Sequence, residues 1–457
     1  MESITYLNIQ VEGVPFIKLL GLEIKHTVNE HGEADISCEM EKEAAQNYIK
    51  RVDEKTMIRI LTTAEGQPSV LFCGVVKSAG IQMMSEYAVV QLSLKSVSTL
   101  LDQEKKNKSF QNTAKTYEQI MTQAVAGQAS INMQVTDRAI GNMIIQCNET
   151  NWEFCKRMAS RLSAPIITSI DGKVPVLTVG IPKGGRQHEI KTTESYAAAQ
   201  KTASEGRPVF VGCGTSLQTR QYVFLGDTVS NGGGNLKVSG IHATLAKGML
   251  ISTIYIAGES QLKQTETANV QISGKMYTGE VKDVQKDTVK VHLIDIDSEY
   301  DGDSTVWLPY STAYSSSDGS GFYCMPAEGD LVRVFFPGSD EGQAFAASSV
   351  SVSPGADVTD KQWTGPNGKQ ILMTKEGIYI TTNSNENKIF INLTDDEGIT
   401  IVSNKNINIC AKNNLSLISN NSISVTAEKD ILISTAESYI DIKPEGIELG
   451  AENVVIK

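Results

Sequence analysis

The chain has 457 residues, too many for one ordinary core and enough for about two to four domains. Hydrophobic residues make up 40% and aromatics only 6%, with 37 glycines, which suits a strand-rich soluble protein better than a helical one. A formal net charge of −12, with no basic stripe interleaved with aromatics, argues against a protein that tracks nucleic-acid phosphates, so no nucleic-acid sequence recognition is expected.

No run of about 18 apolar residues occurs, so no membrane-spanning helix is expected. The N-terminal MESITYLNIQVEG lacks the basic region and apolar run of a secretory signal, so the expectation is synthesis in a bacterial cytoplasm without a signal peptide. The seven cysteines are scattered and form no CxxC, which predicts reduced, mostly buried thiols. The five histidines show no ligand spacing, and neither a metal nor a cofactor is expected.

From the N-terminus, KTMIRILTTAEG, SVLFCGVVKSAG and YAVVQLSLKSVSTLL alternate or run β-branched between turn residues and predict a small barrel or curled sheet. EKEAAQNYIKRV at 41–52 reads as a short surface helix. In NTAKTYEQIMTQAVAG, Thr113 is the expected cap, Tyr117, Ile120, Met121, Ala124 and Val125 form one face, and Gly127 ends the helix. In NETNWEFCKRMASRLSAP, Asn148 or Thr150 is the expected cap, and Trp152, Cys155, Met158, Ala159 and Leu162 recur at helical spacing. Strand patterns return to about 257, and ESQLKQTETA at 259–268 reads as a boundary. Residues 270–350 then hold short strands at spacings near ten residues, the pattern of a small antiparallel barrel of oligosaccharide-binding type.

From 391 onward a period of eight sets in. The apolar pairs are Ile391/Leu393, Ile399/Ile401, Ile407/Ile409, Leu415/Leu417, Ile423/Val425, Ile431/Ile433 and Ile447/Leu449. One beat fails at Tyr439/Asp441, where Ile440 and Ile442 carry the apolar pattern one residue out of register. Residues two apart share one face of a strand, so each block offers a short strand with two apolar side chains on one side. One chain of such strands cannot cover its own apolar row, whereas three chains winding about a shared axis can. The expected assembly is an intertwined trimeric prism with those pairs inside; the alternative is a monomeric β-solenoid or a string of hairpins, either of which leaves long unpaired edges.

The order of parts resembles the central hub and spike proteins of contractile injection systems, such as the VgrG spike of type VI secretion and the hub and spike of contractile phage tails. Three stretches carry it: QCNETNWEFCKRMASRL, CMPAEGDLVRVFFPGSDEGQAFAASSV and the octads. The resemblance implies a mainly β fold with a few helices, divided into a barrel-like hub domain at 1–110 and a second hub domain at 111–265 with helices at 113–126 and 150–162. An OB-type barrel at 270–350, a linker at 351–370 and a β-helical needle at 371–457 follow. It makes Trp152, Phe154 and Met158 hub scaffold.

The function it implies is structural: a homotrimeric spike under the tail tube, at the baseplate centre of a phage tail, R-type bacteriocin or type VI-like machine, that pierces the target cell envelope. Tube and baseplate proteins are the implied partners. The chain stops inside the repeat, and the needle has no histidine, which leaves room for a separate tip cap of the PAAR type. The alternatives are a wall- or polysaccharide-degrading tail enzyme and a receptor-binding fibre. No GxSxG, HExxH or Cys/His pairing supports catalysis, and the cluster Asp395, Asp396 and Glu397 reads as a solvated turn.

Overall fold

The computed structural model describes residues 3–190, 195–199, 202–204, 207–209, 213–230, 235–351, 357–365, 367–382 and 389–456. The chain is mainly β with a few helices and falls into two compact units, Met1–Val352 and Ser353–Lys457.

One long sheet organises the first unit. Its central strands, in spatial order, are Met57–Thr62, Ser69–Met83, Ala88–Ser96, Glu33–Met40, Lys18–Thr27, Asn235–Ala246 and Met249–Ala257. Alternation decides what each strand buries: in EADISCEM, Ala34, Ile36, Cys38 and Met40 are buried and Glu33 and Asp35 are exposed. The N-terminal strands join the later hairpin where Lys18–Thr27 pairs with Asn235–Ala246, Ile24 opposite Ala243 and His26 opposite Ile241. That hairpin turns at Lys247 and Gly248, with φ of 50° and 79°, the two positive values that a tight type I′ turn requires.

A helical lobe with its own core interrupts the sheet in sequence. Helix α1, Lys42–Arg51, occupies the stretch expected to be helical and packs on the long sheet rather than in this lobe, with Ala45 in the sheet's core. Helix α2, Tyr117–Val125, starts later than the sequence suggests, because Thr116 rather than Thr113 is its cap. Gly141 and Ile140 donate their N–H groups to the carbonyls of Thr113 and Lys115, which holds that stretch outside the helix. Helix α3, Asn151–Arg161, is capped by Thr150, which accepts from the Glu153 N–H at 3.1 Å; Asn148 stands before it at φ 51°.

The closed barrel comprises Met276–Gln285, Thr288–Leu293, Leu308–Ser311, Phe345–Ser349 and Leu331–Phe335, paired in that order. Val281, Val289, Val291, Val332, Val334 and Ala346 fill it.

The second unit holds two antiparallel sheets. Lys361–Thr364, Gln370–Met373, Gly377–Thr381, Phe390–Thr394 and Gly398–Val402 pair in chain order, and so do Ile431–Ser434, Tyr439–Lys443 and Gly446–Gly450. The stretch expected to be linker thus carries a strand at Lys361–Thr364, because Trp363 pairs opposite Ile371 and extends the same face. Residues 403–430 form no strand.

Candidate functional site

Cross-strand register gathers the apolar residues of the repeat. Trp363 lies opposite Ile371, Ile371 opposite Ile380, Ile380 opposite Ile391 and Ile391 opposite Ile401. In the adjoining row Met373, Ile378, Leu393 and Ile399 face one another in turn. Directly opposed residues share a sheet face, so both rows form one apolar surface. Ile391, Leu393, Ile399 and Ile401 are all exposed, Ile399 to 71%.

The C-terminal sheet repeats the arrangement. Ile431 and Ile433 oppose Ile442 and Ile440, which in turn oppose Ile447 and Leu449. This explains the beat that fails at Tyr439/Asp441. Within an antiparallel meander, Ile440 and Ile442 sit on the same face as the pairs before and after them. Ile431 is half-buried, while Ile433, Ile447 and Leu449 are exposed. Between the sheets, Ile407, Ile409, Leu415, Leu417, Ile423 and Val425 are exposed too, Leu417 to 69%.

Trp152, Phe154 and Met158, expected as hub scaffold, behave oppositely. Phe154 and Met158 are wholly buried and Trp152 nearly so, in one core with Ile120, Met121 and Leu177. Phe154 stacks on Phe110 with centroids 5.2 Å apart, and the His31 ring lies 4.4 Å from Trp152. The same helix carries a buried ion network that sequence reading missed. Arg157 donates to both carboxylate oxygens of Glu149, at 2.7 and 2.8 Å, and to the Ile145 carbonyl at 2.7 Å. Glu341, beside the barrel, accepts from Arg157 at 3.3 Å and from Arg161 at 2.8 Å. Asn269 donates to Glu149 at 3.3 Å. Arg157 and Glu341 are 3% and 2% exposed, so paired charge fastens α3 to the barrel where water is excluded.

One constellation has the residue types of a hydrolase. His31 Nδ1 lies 2.8 Å from the Ser98 hydroxyl, and its Nε2 lies 3.5 Å from Asp102. Ser98 is wholly buried, which leaves its oxygen no surface from which to meet a substrate. Asp102 instead accepts a 2.6 Å bond from Thr150, so the group ties the turn around His31 to α3. Asp395, Asp396 and Glu397 lie exposed in the turn between Phe390–Thr394 and Gly398–Val402. Among the described residues no cluster of three or more His, Cys, Asp or Glu is placed to hold a metal ion.

Comparison with solved structures gives this arrangement relatives in fold. A component of the E. coli type VI secretion system, described as structurally similar to the T4 bacteriophage tail proteins gp27 and gp5, aligns at TM-score 0.53 and 13% identity over 75% of this chain and 99% of its own. A chain of the half-lidded Francisella PdpA–VgrG complex aligns at TM-score 0.56 and 10% identity over 88% of each. The lidded form of that complex aligns at 0.55 and 9%, over 84% of this chain and 76% of its own. No protein-family model and no curated protein matches the sequence. In fold, the chain is similar to the VgrG-type and phage-tail hub-and-spike proteins of contractile injection systems.

Proposed function

We propose that three copies of this chain form the central spike of a contractile injection machine, mounted under the tail tube at the baseplate centre and driven through a target envelope. The observation that carries the reading is the exposed apolar face of the repeat, from Trp363 to Leu449. Apolar sheet faces exposed in this way are unstable in water and are a hazard for edge-to-edge aggregation. Three copies with these faces turned inward make a prism that hides them and leaves Asn, Lys, Ser, Asp and Glu outside. Residues 403–430 form no strand among the described residues, and in the trimer the corresponding segments of two other copies pack beside them. The needle core would then be the pairs from Ile391/Leu393 to Ile447/Leu449.

The role is mechanical. A shaft wound from three chains unfolds slowly, and slow unfolding is the stability a piercing part needs. The buried Arg157–Glu149–Glu341 network supports the same reading, since it joins helical lobe and barrel rigidly. Tube and baseplate proteins are the partners, with a separate PAAR-like cap on the needle. Electron microscopy of tail particles carrying a labelled chain tests the placement. Label at the baseplate centre is expected. Label along the sheath or at fibre tips would contradict the spike and favour a receptor-binding fibre.

A further inference from the structure

Cys147 and Lys275 stand in contact, although 128 residues separate them. Cys147 lies on the strand Ile144–Glu149 of the helical lobe, its side chain wholly buried against the barrel core. Lys275 lies in the turn just before the barrel strand Met276–Gln285, pinned by a 3.0 Å bond from its N–H to the Ile272 carbonyl and a 2.9 Å bond from Phe336 N–H to its carbonyl. Its Nζ is 3.2 Å from the Cys147 sulfur. The Tyr277 hydroxyl is 3.3 Å from the same sulfur, and the Gln271 carbonyl is 3.7 Å away. Lys275 is half-buried and takes part in no ion pair among the described residues, so no carboxylate holds its amine away from the thiol.

We propose that this pair is an oxidative modification site, at which dioxygen links Lys275 Nζ to Cys147 Sγ through one oxygen atom. The lysine first releases a proton to solvent and becomes a neutral amine. The S–H bond and one N–H bond then break, and N–O and O–S bonds form. One oxygen atom of dioxygen becomes the bridge, and the other leaves as water with the two hydrogens. Sulfur and nitrogen each give up two electrons, and dioxygen takes up all four. A disulfide does not compete from within the lobe, because Cys155 packs in the separate helical core. A thiol reductant reverses the link with four electrons, two to break the O–S bond and two to break the N–O bond, which restores thiol and amine and releases water. The product is a covalent tie between helical lobe and barrel, beside the ionic tie made by Arg157.

The test uses the full chain with the exposed Cys324 and Cys410 changed to serine, so that links between molecules do not intervene. After aerobic incubation, intact-mass spectrometry is expected to show a gain of about 14 Da, one oxygen less two hydrogens, reversed by dithiothreitol. Peptide mapping should join the peptide holding Cys147 to the one holding Lys275. Neither Cys147→Ser nor Lys275→Arg should show the gain, and both are checked for native circular dichroism. An unchanged mass, a gain of about 16 Da on Cys147 alone, or a gain that survives in Lys275→Arg would overturn the proposal.

Discussion

Arg157 holds Glu149 by two parallel bonds of 2.7 and 2.8 Å, and both residues are buried. Glu341, 184 residues further along, completes the pairing. Removing the arginine leaves the Glu149 carboxylate buried without a counter-charge, while Glu341 keeps Arg161. Arg157→Met, which keeps much of the volume, is expected to destabilise the first unit by about 3–5 kcal/mol. Denaturant unfolding followed by tryptophan fluorescence checks this through Trp152 in the same core. A loss of under about 1 kcal/mol would show that the network is only a surface-grade ion pair.

Thr150 both caps α3 and donates to Asp102 at 2.6 Å. Thr150→Ala is expected to cost about 1–2 kcal/mol, read from the same unfolding curves. Asn148→Ala removes no cap and is expected to be milder, although the left-handed φ of 51° at that position adds strain of its own.

Buried histidines set a pH dependence. Burial, with the nearby His31 adding to it, lowers the His26 pKa from its usual 6.5 to about 3. Burial also lowers that of His31, against the opposing pull of Asp102. The folded value lies below the unfolded one, so as pH falls the unfolded chain takes up protons that the folded chain refuses. The stability is fully present above about pH 6.5 and is lost progressively toward pH 3, at up to about 1.4 kcal/mol per pH unit for His26. Thermal unfolding from pH 7.5 to 4 should show that slope, and His26→Gln should flatten it. A melting temperature as steep in His26→Gln as in the native chain would assign the slope elsewhere.

Much of the architecture is legible in the sequence because it is local. The α3 face at Trp152, Cys155, Met158 and Ala159 follows the helical period and is buried as that period requires. The pairs Ile391/Leu393, Ile399/Ile401, Ile431/Ile433 and Ile447/Leu449 each share a face because side chains alternate along a strand. What sequence reading missed depends on distant partners. Glu341 sits in an acidic turn that reads as solvated, and only the fold brings Arg157 and Arg161 onto it. The strand at Lys361–Thr364 hides among Ser, Pro and Gly residues, and its one apolar marker, Trp363, gains meaning only opposite Ile371. Thr113 has the composition of a cap, but its hydroxyl pairs with Thr305 at 2.7 Å and the helix starts at the next suitable residue.

Two faces of one strand give a paired test of the needle. Ile401 lies on the apolar face, and its neighbour Thr400 lies opposite Asn392 on the other. Ile401→Asp is expected to shift the protein from trimer to monomer at micromolar concentration, because it places three carboxylates in an apolar core. Thr400→Asp is expected to leave the assembly intact. Sedimentation velocity on both variants checks this. Equal behaviour of the two would mean that the apolar face is not the contact.

The most direct measurement is the native mass of the full chain by light scattering, read beside an unboiled SDS gel. One chain is 49.5 kDa. The account predicts a species of three chain masses that persists in SDS until it is heated. A monomer at all concentrations, with the repeat still folded by circular dichroism, would contradict it and leave the octads as a single-chain sheet.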